Sequence, residues 1–379
     1  MSPTVCILAN TIGYPEGGGH AWAYLNWALG LREAGCRVLW LESAKPETPA
    51  DRVQERAAGL KSRLARYGLG ESLLLWAGGD TEPVDGNPGV DGYPGLEVAE
   101  TADLFLNFRY ALHESMLRRF RRTALVDIDP GLLQVWISRG ELRAQRHDLY
   151  FTIGETVGEP GSLIPDVGLR WHHTPPPVSL GAWPVAPAPS DAPFNTVSHW
   201  YAQEWMMGAD GAWYSNDKRS GYLPFLDLPH LTKQPLELAL CLGDIGLERD
   251  ELLARGWRIR DSVEATSTPW DYQAYIQGAR GEFSCVKPSC VRLQNAWISD
   301  RTICYLASGK PAVVQHTGPS RILPERAGLL RFRTVEEAVE CLEDADTNYA
   351  RHSQEARALA ETHFDGRKVT SRVLDVALG

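Results

Sequence analysis

The stretch Ser299 to Ser320, SDRTICYLASGKPAVVQHTGPS, decides the fold of this chain. Ser299 is a helix-capping residue with Asp300 behind it in the first turn, the apolar residues through Leu306 continue the helix, and Gly309 stops it. Ala312 to Gln315 is a short apolar run of the buried-strand type, and Gly318 before Pro319 marks the next turn. Helix, strand and turn in that order are one step of a parallel α/β sheet. A helix N-terminus and a glycine loop at the end of such a sheet form an anion site, because both offer backbone N–H groups.

Upstream, Glu282 to Val286 reads as an apolar strand with Lys287 at its C-terminal end, where its ammonium can meet an anion in the same crevice; a solvent-facing lysine is the alternative. Tyr214 to Leu228 carries Lys218 and Arg219 on an expected loop. Arg301 lies in the first turn of the Ser299 helix, with Thr317 and Gly318 on the facing loop. Downstream, Thr334 and Glu337 form a capping box. Tyr349 to His363 and Arg367 to Leu378 are amphipathic helices.

The N-terminal part repeats the α/β alternation. Thr4 to Ala9 is a buried-strand run, Asn10 to Gly19 a loop, and a helix follows until Gly35, after which Arg37 to Leu41 is the next strand. The glycines do not match GxGxxG, and Glu42 falls near a ribose-binding position only on a generous count. Gly18 and Gly19 let a ligand approach the helix start. His20, in the first turn, is either a catalytic group facing that ligand or a capping, solvent-facing histidine. Ala102 to Asn107 and Thr123 to Asp127 are further strands, which puts Asn107, Asp127 and Asp129 at C-terminal strand ends, where ligands of open sheets bind. Asp129 is a candidate base, with a turn or cap role as its alternative. Gly78 to Gly95 reads as a long surface loop, and Arg170 to Pro184 as the crossover between domains. His172 and His173 point to opposite sides of an extended backbone and so do not pair on a metal.

With 379 residues, 44% hydrophobic and 23% charged, the chain suits a two-domain globular protein. The divisions are 1–185, 186–365 and a C-terminal helix over 366–379 that can cross back to the first domain. A formal net charge of -10 argues against nucleic acid as a partner. Seven scattered cysteines fit reduced thiols rather than a disulfide framework or zinc site. Without a signal peptide or membrane-spanning run, the expected location is the cytoplasm.

Two regions together resemble the GT-B glycosyltransferases, in particular the glycogen-synthase-like bacterial group. They are GGGHAWAYLNWALGLREAGCRVLWLES (Gly17 to Ser43) and SDRTICYLASGKPAVVQHTG (Ser299 to Gly318), the latter with the AxGxP unit at Ala307 to Pro311. The resemblance implies two Rossmann-like domains facing across a cleft, a nucleotide sugar held by the C-terminal one and a small-molecule acceptor by the N-terminal one. The implied activity is metal-independent, hexosyltransferase-type transfer from a UDP- or TDP-sugar, with no cofactor. His20 and Asp129 are then the catalytic candidates. Gly18, Gly19, Lys218, Lys287, Ser299, Asp300, Arg301, Thr317 and Gly318 are the donor-binding ones. A homodimer is compatible with this reading. The Ala, Arg and Gly richness suits a high-GC bacterium and natural-product tailoring.

The chain departs from the group where a glutamate pair brackets the donor helix: Ala296 and Cys304 occupy those positions. An expected substitute is Arg301 on phosphate, with Asp300 on a hydroxyl or on Arg301. The departure keeps two rivals in view, a GT-B-type epimerase and a non-catalytic nucleotide-sugar-binding protein.

Overall fold

The computed structural model describes residues 2–78, 90–207, 211–241 and 246–379. Most of the glycine-rich loop expected over Gly78 to Gly95 (residues 79–89) lies outside the described residues. Contacts divide the chain into two compact units: Met1–Gly158 with Pro165–Ser179 and Asp365–Gly379, and Glu159–Ile164 with Leu180–Phe364.

The first unit is built on a seven-stranded sheet. Its strands are β1 (Thr4–Leu8), β2 (Arg37–Ala44), β3 (Leu73–Ala77), β4 (Leu104–Asn107), β5 (Thr123–Asp127), β6 (Leu149–Thr152) and β7 (Trp171–His173). They pair in parallel in the order β3-β2-β1-β4-β5-β6-β7. The central strands are apolar along their length because both faces are covered: Val5, Ile7, Leu8, Phe105 and Leu106 are fully buried. After β1 the chain runs outward to β2 and β3, then returns to β4 on the other side of β1. That reversal opens a crevice at the C-terminal ends of β1 and β4.

Two strands correct the sequence reading. Leu73–Ala77, just before the glycine-rich run, is a strand that the sequence reading does not include. Trp171–His173 falls inside the expected crossover, and only its register against Tyr150, Phe151 and Thr152 makes it a strand. The last helix, Gly366–Leu378, packs on helix Gly18–Glu33 within this unit through a glycine–glycine crossing. A Cβ on Gly30 would stand 2.6 Å from the Gly366 carbonyl oxygen, so the backbones approach as closely as they do only without side chains there.

The second unit has a six-stranded parallel sheet ordered β12-β11-β8-β13-β14-β15. Its strands are β8 (Phe194–His199), β11 (Leu236–Cys241), β12 (Arg258–Asp261), β13 (Gly281–Ser284), β14 (Ala312–Gln315) and β15 (Leu329–Phe332), with an antiparallel pair β9 (Trp205–Met207) and β10 (Trp213–Ser215) beside them in sequence. The core is aromatic: Phe283 stacks on Phe332 at 5.3 Å and Tyr222, Trp200 and Trp257 surround them. The strand expected to run to Val286 ends at Ser284: the Cys285 carbonyl accepts from Lys218 and the Val286 N–H donates to the Gln315 side chain, and Pro288 then opens a helix. Lys218 and Arg219, expected on a loop, lie on helix Lys218–Tyr222, which Asp217 caps through the Ser220 N–H. No helix among the described residues is long and apolar enough to cross a membrane.

Lys310, just before β14, is fully buried, and its Nζ has no hydrogen-bond partner among the described residues. Burial, with Arg280 adding repulsion, pushes its pKa down to about 8. A base whose folded pKa lies below its unfolded value of about 10.4 disfavours the fold at low pH, and stability is regained as pH rises from about 8 through that value. Lys310→Met is therefore expected to raise the melting temperature at pH 7, with the gap to the unsubstituted protein closing in scans above pH 10.

Candidate functional site

In the second unit, basic side chains from three helix starts converge beyond the end of β13. Lys287 is the N-cap of helix Pro288–Leu293, and its Nζ pairs with Glu204 Oε2 at 3.1 Å. Helix Lys218–Tyr222 lies against the same segment: a Cβ on Gly221 would sit 2.0 Å from the Val286 carbonyl oxygen. That approach lets Lys218 Nζ donate to the Cys285 carbonyl at 3.1 Å and lie 5.6 Å from the Trp297 ring centre. Arg301, in the first turn of helix Asp300–Ala307, donates from Nε to Glu282 Oε1 at 2.8 Å and from Nη1 to the Val197 carbonyl at 2.9 Å.

The electrostatics differ among the three. Lys287 and Arg301 each have a carboxylate, whereas the partners of Lys218 among the described residues are a carbonyl and an indole ring. Burial foremost, with the Arg301 and Lys287 charges acting the same way, pushes the Lys218 pKa down to about 8. Burial works against the Arg301 charge, but Glu282, with Tyr272 and Tyr222 acting the same way, holds the guanidinium above its ordinary range. Glu282 is fully buried, and its second oxygen has no hydrogen-bond partner among the described residues. Lysine repelled by neighbouring cations and lacking a carboxylate is the arrangement that an incoming anion relieves.

The loop after β14, expected to face this cluster, is held by its own bonds. Thr317 Oγ1 donates to the Trp297 carbonyl at 2.7 Å, the Gly318 N–H to His316 Nδ1 at 3.1 Å, and Arg331 Nη1 to the Gly318 carbonyl at 3.1 Å. The Gly318 N–H, expected to face a ligand, is thus already in use. Ser299 Oγ likewise accepts the Arg301 N–H at 3.2 Å. The Ser299 hydroxyl and the Thr317 and Gly318 groups are thus bonded within the protein, and the charge near the end of β13 comes from the lysines and arginine. Gly318 has φ +132° and stands against Gln294, whose carbonyl oxygen would be 2.5 Å from an added Cβ. Gln294 and Ala296 both adopt left-handed backbone angles, φ 50° and 52°, a strained pair of the kind that clusters at functional sites.

Asp300 accepts from Ser299 Oγ at 3.2 Å, and the carboxylate on Arg301 is Glu282, not Asp300. Ala296 and Cys304 are both buried, with Cys304 Sγ donating to the Asp300 carbonyl at 3.2 Å. Glu282 is the residue that sequence reasoning missed. A lone charge inside the short apolar run GEFS was its one signal.

Gly18, Gly19, His20 and Asp129 belong to the first unit. Gly18 opens helix Gly18–Glu33. His20 Nε2 donates to the Asn10 carbonyl at 2.8 Å, which leaves Nδ1 as the basic nitrogen, and its ring meets Tyr14 and Tyr24 edge-on. Glu42 does not reach outward to a ribose. It is fully buried, accepts from Thr11 N at 2.9 Å, Ile12 N at 3.2 Å and Trp40 Nε1 at 2.9 Å, and so ties down the loop before His20. Burial raises its pKa, against the pull of these hydrogen bonds.

Asp127, at the end of β5, is the centre of a second network. It accepts from Tyr110 OH at 3.0 Å, Gln134 Nε2 at 2.9 Å and Thr152 Oγ1 at 3.0 Å. Burial pushes its pKa up to about 6 despite these bonds. The Asp129 N–H donates to Tyr110 OH at 3.0 Å and to Asp127 Oδ1 at 3.1 Å, which fixes the turn carrying the half-buried Asp129.

No known family profile and no curated protein matches the sequence. Solved structures do. An alpha-glucosyltransferase in complex with UDP and a DNA 13-mer is 11% identical over all of both chains, with a TM-score of 0.58. HepE from Anabaena, solved with UDP and glucose, is 12% identical over 99% of each chain, with a TM-score of 0.56. A glycosyltransferase from Rickettsia africae is 10% identical over 99% of this chain and 98% of its own, with a TM-score of 0.53. At these identities the likeness is one of architecture: the chain has the GT-B fold, two Rossmann-like α/β units, that these glycosyltransferases share.

Proposed function

We propose that this protein transfers a glycosyl group from a nucleoside diphosphate sugar, linked to UDP or TDP, to a small-molecule acceptor. The observation that carries the reading is the convergence of Lys218, Lys287 and Arg301 beyond β13, in a unit whose fold is that of glycosyltransferases solved with UDP. As the anomeric bond breaks, negative charge develops on the departing diphosphate. Lys218, with no carboxylate partner among the described residues, gains more from that charge than from the bound substrate, which lowers the barrier. Lys287 and Arg301 supply further positive charge, so the chemistry does not call for a metal.

On the first unit, His20 Nδ1 is the candidate base for the acceptor hydroxyl, or a sugar-positioning group if the anomeric configuration is retained. Gly18 and Gly19 let the ligand approach the helix start, and Asp129 is the second candidate base. The charge of -10 weighs against a nucleic-acid acceptor. Tailoring of natural products in a bacterial cytoplasm fits such an acceptor.

The test is a thermal-shift titration with UDP, UDP-glucose and TDP-glucose, then assay of nucleotide release with and without added acceptors and with EDTA. A ligand-dependent shift and acceptor-dependent, EDTA-resistant release are expected. A shift without release makes the protein a binding module; consumption of donor sugar without acceptor makes it an epimerase. No shift with any nucleotide rejects the assignment.

A further inference from the structure

A cavity of about 220 Å³ lies at the C-terminal ends of the central strands of the first unit. Four segments line it: Asn10, Ile12 and Gly13 after β1, Ser43, Lys45 and Thr48 at the end of β2 and beyond, Arg56 on helix Ala50–Ala65, and Arg109 just after β4. This is the crevice made by the reversal of strand order, where open α/β sheets take their ligands. Among the described residues its ionisable lining is Lys45, Arg56 and Arg109, all basic, in a chain of formal net charge -10. Asn10, Ser43 and Thr48 add polar groups.

The position of Arg109 is built. Asn107 Oδ1 accepts the Arg109 N–H at 2.8 Å, and Asn107 Nδ2 donates to the Arg109 carbonyl at 2.8 Å. This closes a turn that projects the side chain from the end of β4, and Arg109 Nη1 then donates to Ser43 Oγ at 2.6 Å. Glu42, Glu47 and Glu55 adjoin lining residues in sequence, but none of the three lines the cavity, and Glu42 is fully buried and accepts the Thr11 and Ile12 N–H groups. The cavity is small beside the roughly 300–1,000 Å³ of sites that enclose a drug-sized ligand, so it suits one charged head group. Cations on several sides favour a dianion, and arginine forks match phosphate oxygens.

We infer that this cavity binds the phosphate of a small phosphorylated molecule, which makes the acceptor of the proposed transfer a phosphate monoester. The role as acceptor rests on the proposed function; the phosphate site itself does not.

Isothermal titration of the full chain with inorganic phosphate at constant ionic strength, in saturating UDP so that the second unit's cluster is filled, tests the site. The variant is Lys45→Gln/Arg56→Gln, with far-UV circular dichroism to report its fold. Phosphate is expected to bind the parent protein and to bind the folded variant about tenfold or more weakly. Equal affinity in the two, or no phosphate binding to the parent, overturns the inference. If UDP itself does not bind, the donor reading fails, and the same parent-against-variant comparison without UDP still decides the phosphate site. Glucose and glucose 6-phosphate, titrated in parallel, separate recognition of the phosphate from recognition of the sugar: tighter binding of glucose alone also overturns the inference.

Discussion

Lys218→Met is expected to lower kcat/KM for the nucleotide sugar by about two orders of magnitude or more, while the unliganded protein melts at the same or a higher temperature. The two effects have one origin. Burial beside the Arg301 and Lys287 charges makes the Lys218 ammonium costly to the empty protein, and under the proposed function the same ammonium gains most from an incoming diphosphate. Lys218 is charged below about pH 8 and neutral above it, so donor affinity should fall as pH rises through that value. Stability moves the other way: the folded pKa lies below the unfolded value of about 10.4, so the fold gains as pH climbs from about 8 towards it. Lys218→Arg should keep activity and flatten the fall in affinity. Steady-state kinetics and UDP titrations from pH 6.5 to about 9.5 read both effects; wild-type kcat/KM in the methionine variant would remove Lys218 from the site.

Glu282→Leu should cost about 3–5 kcal/mol in denaturant unfolding, because it strands the Arg301 guanidinium in a buried position. The double variant Glu282→Leu/Arg301→Leu should recover most of that loss, as buried ion pairs replaced whole by apolar groups usually do. Turnover separates the two roles of Arg301. Recovered stability with turnover still abolished means the guanidinium serves the donor as well as the fold. Recovered turnover means that Arg301 only braces β13 against β8 and that the lysines alone carry the donor charge. A mild single variant would mean that the ion pair contributes little.

The parts of the site that were legible in the sequence are those set by local rules. Ser299 capping its helix, Gly309 at φ +68° ending it and Gly318 at φ +132° turning the chain are backbone demands that particular residue types announce. Lys287 was legible as a cation after an apolar strand. Its true setting, an N-cap paired with Glu204 from 83 residues upstream, was not. The expected free N–H of Gly318 failed for the same reason: its acceptor is the His316 ring, and only the folded loop brings the two into line.

By itself the sequence determined the alternation of apolar runs, capped helices and glycine stops that makes two α/β units, since hydrophobic period and backbone conformation are local properties. The tertiary structure alone decided which charges face one another. It gave Arg301 to Glu282, Lys287 to Glu204 and the Cys285 carbonyl to Lys218, and drew Lys45, Arg56 and Arg109 around one cavity. Coulomb energies and desolvation depend on distance and burial, and neither is written in the order of residues along the chain.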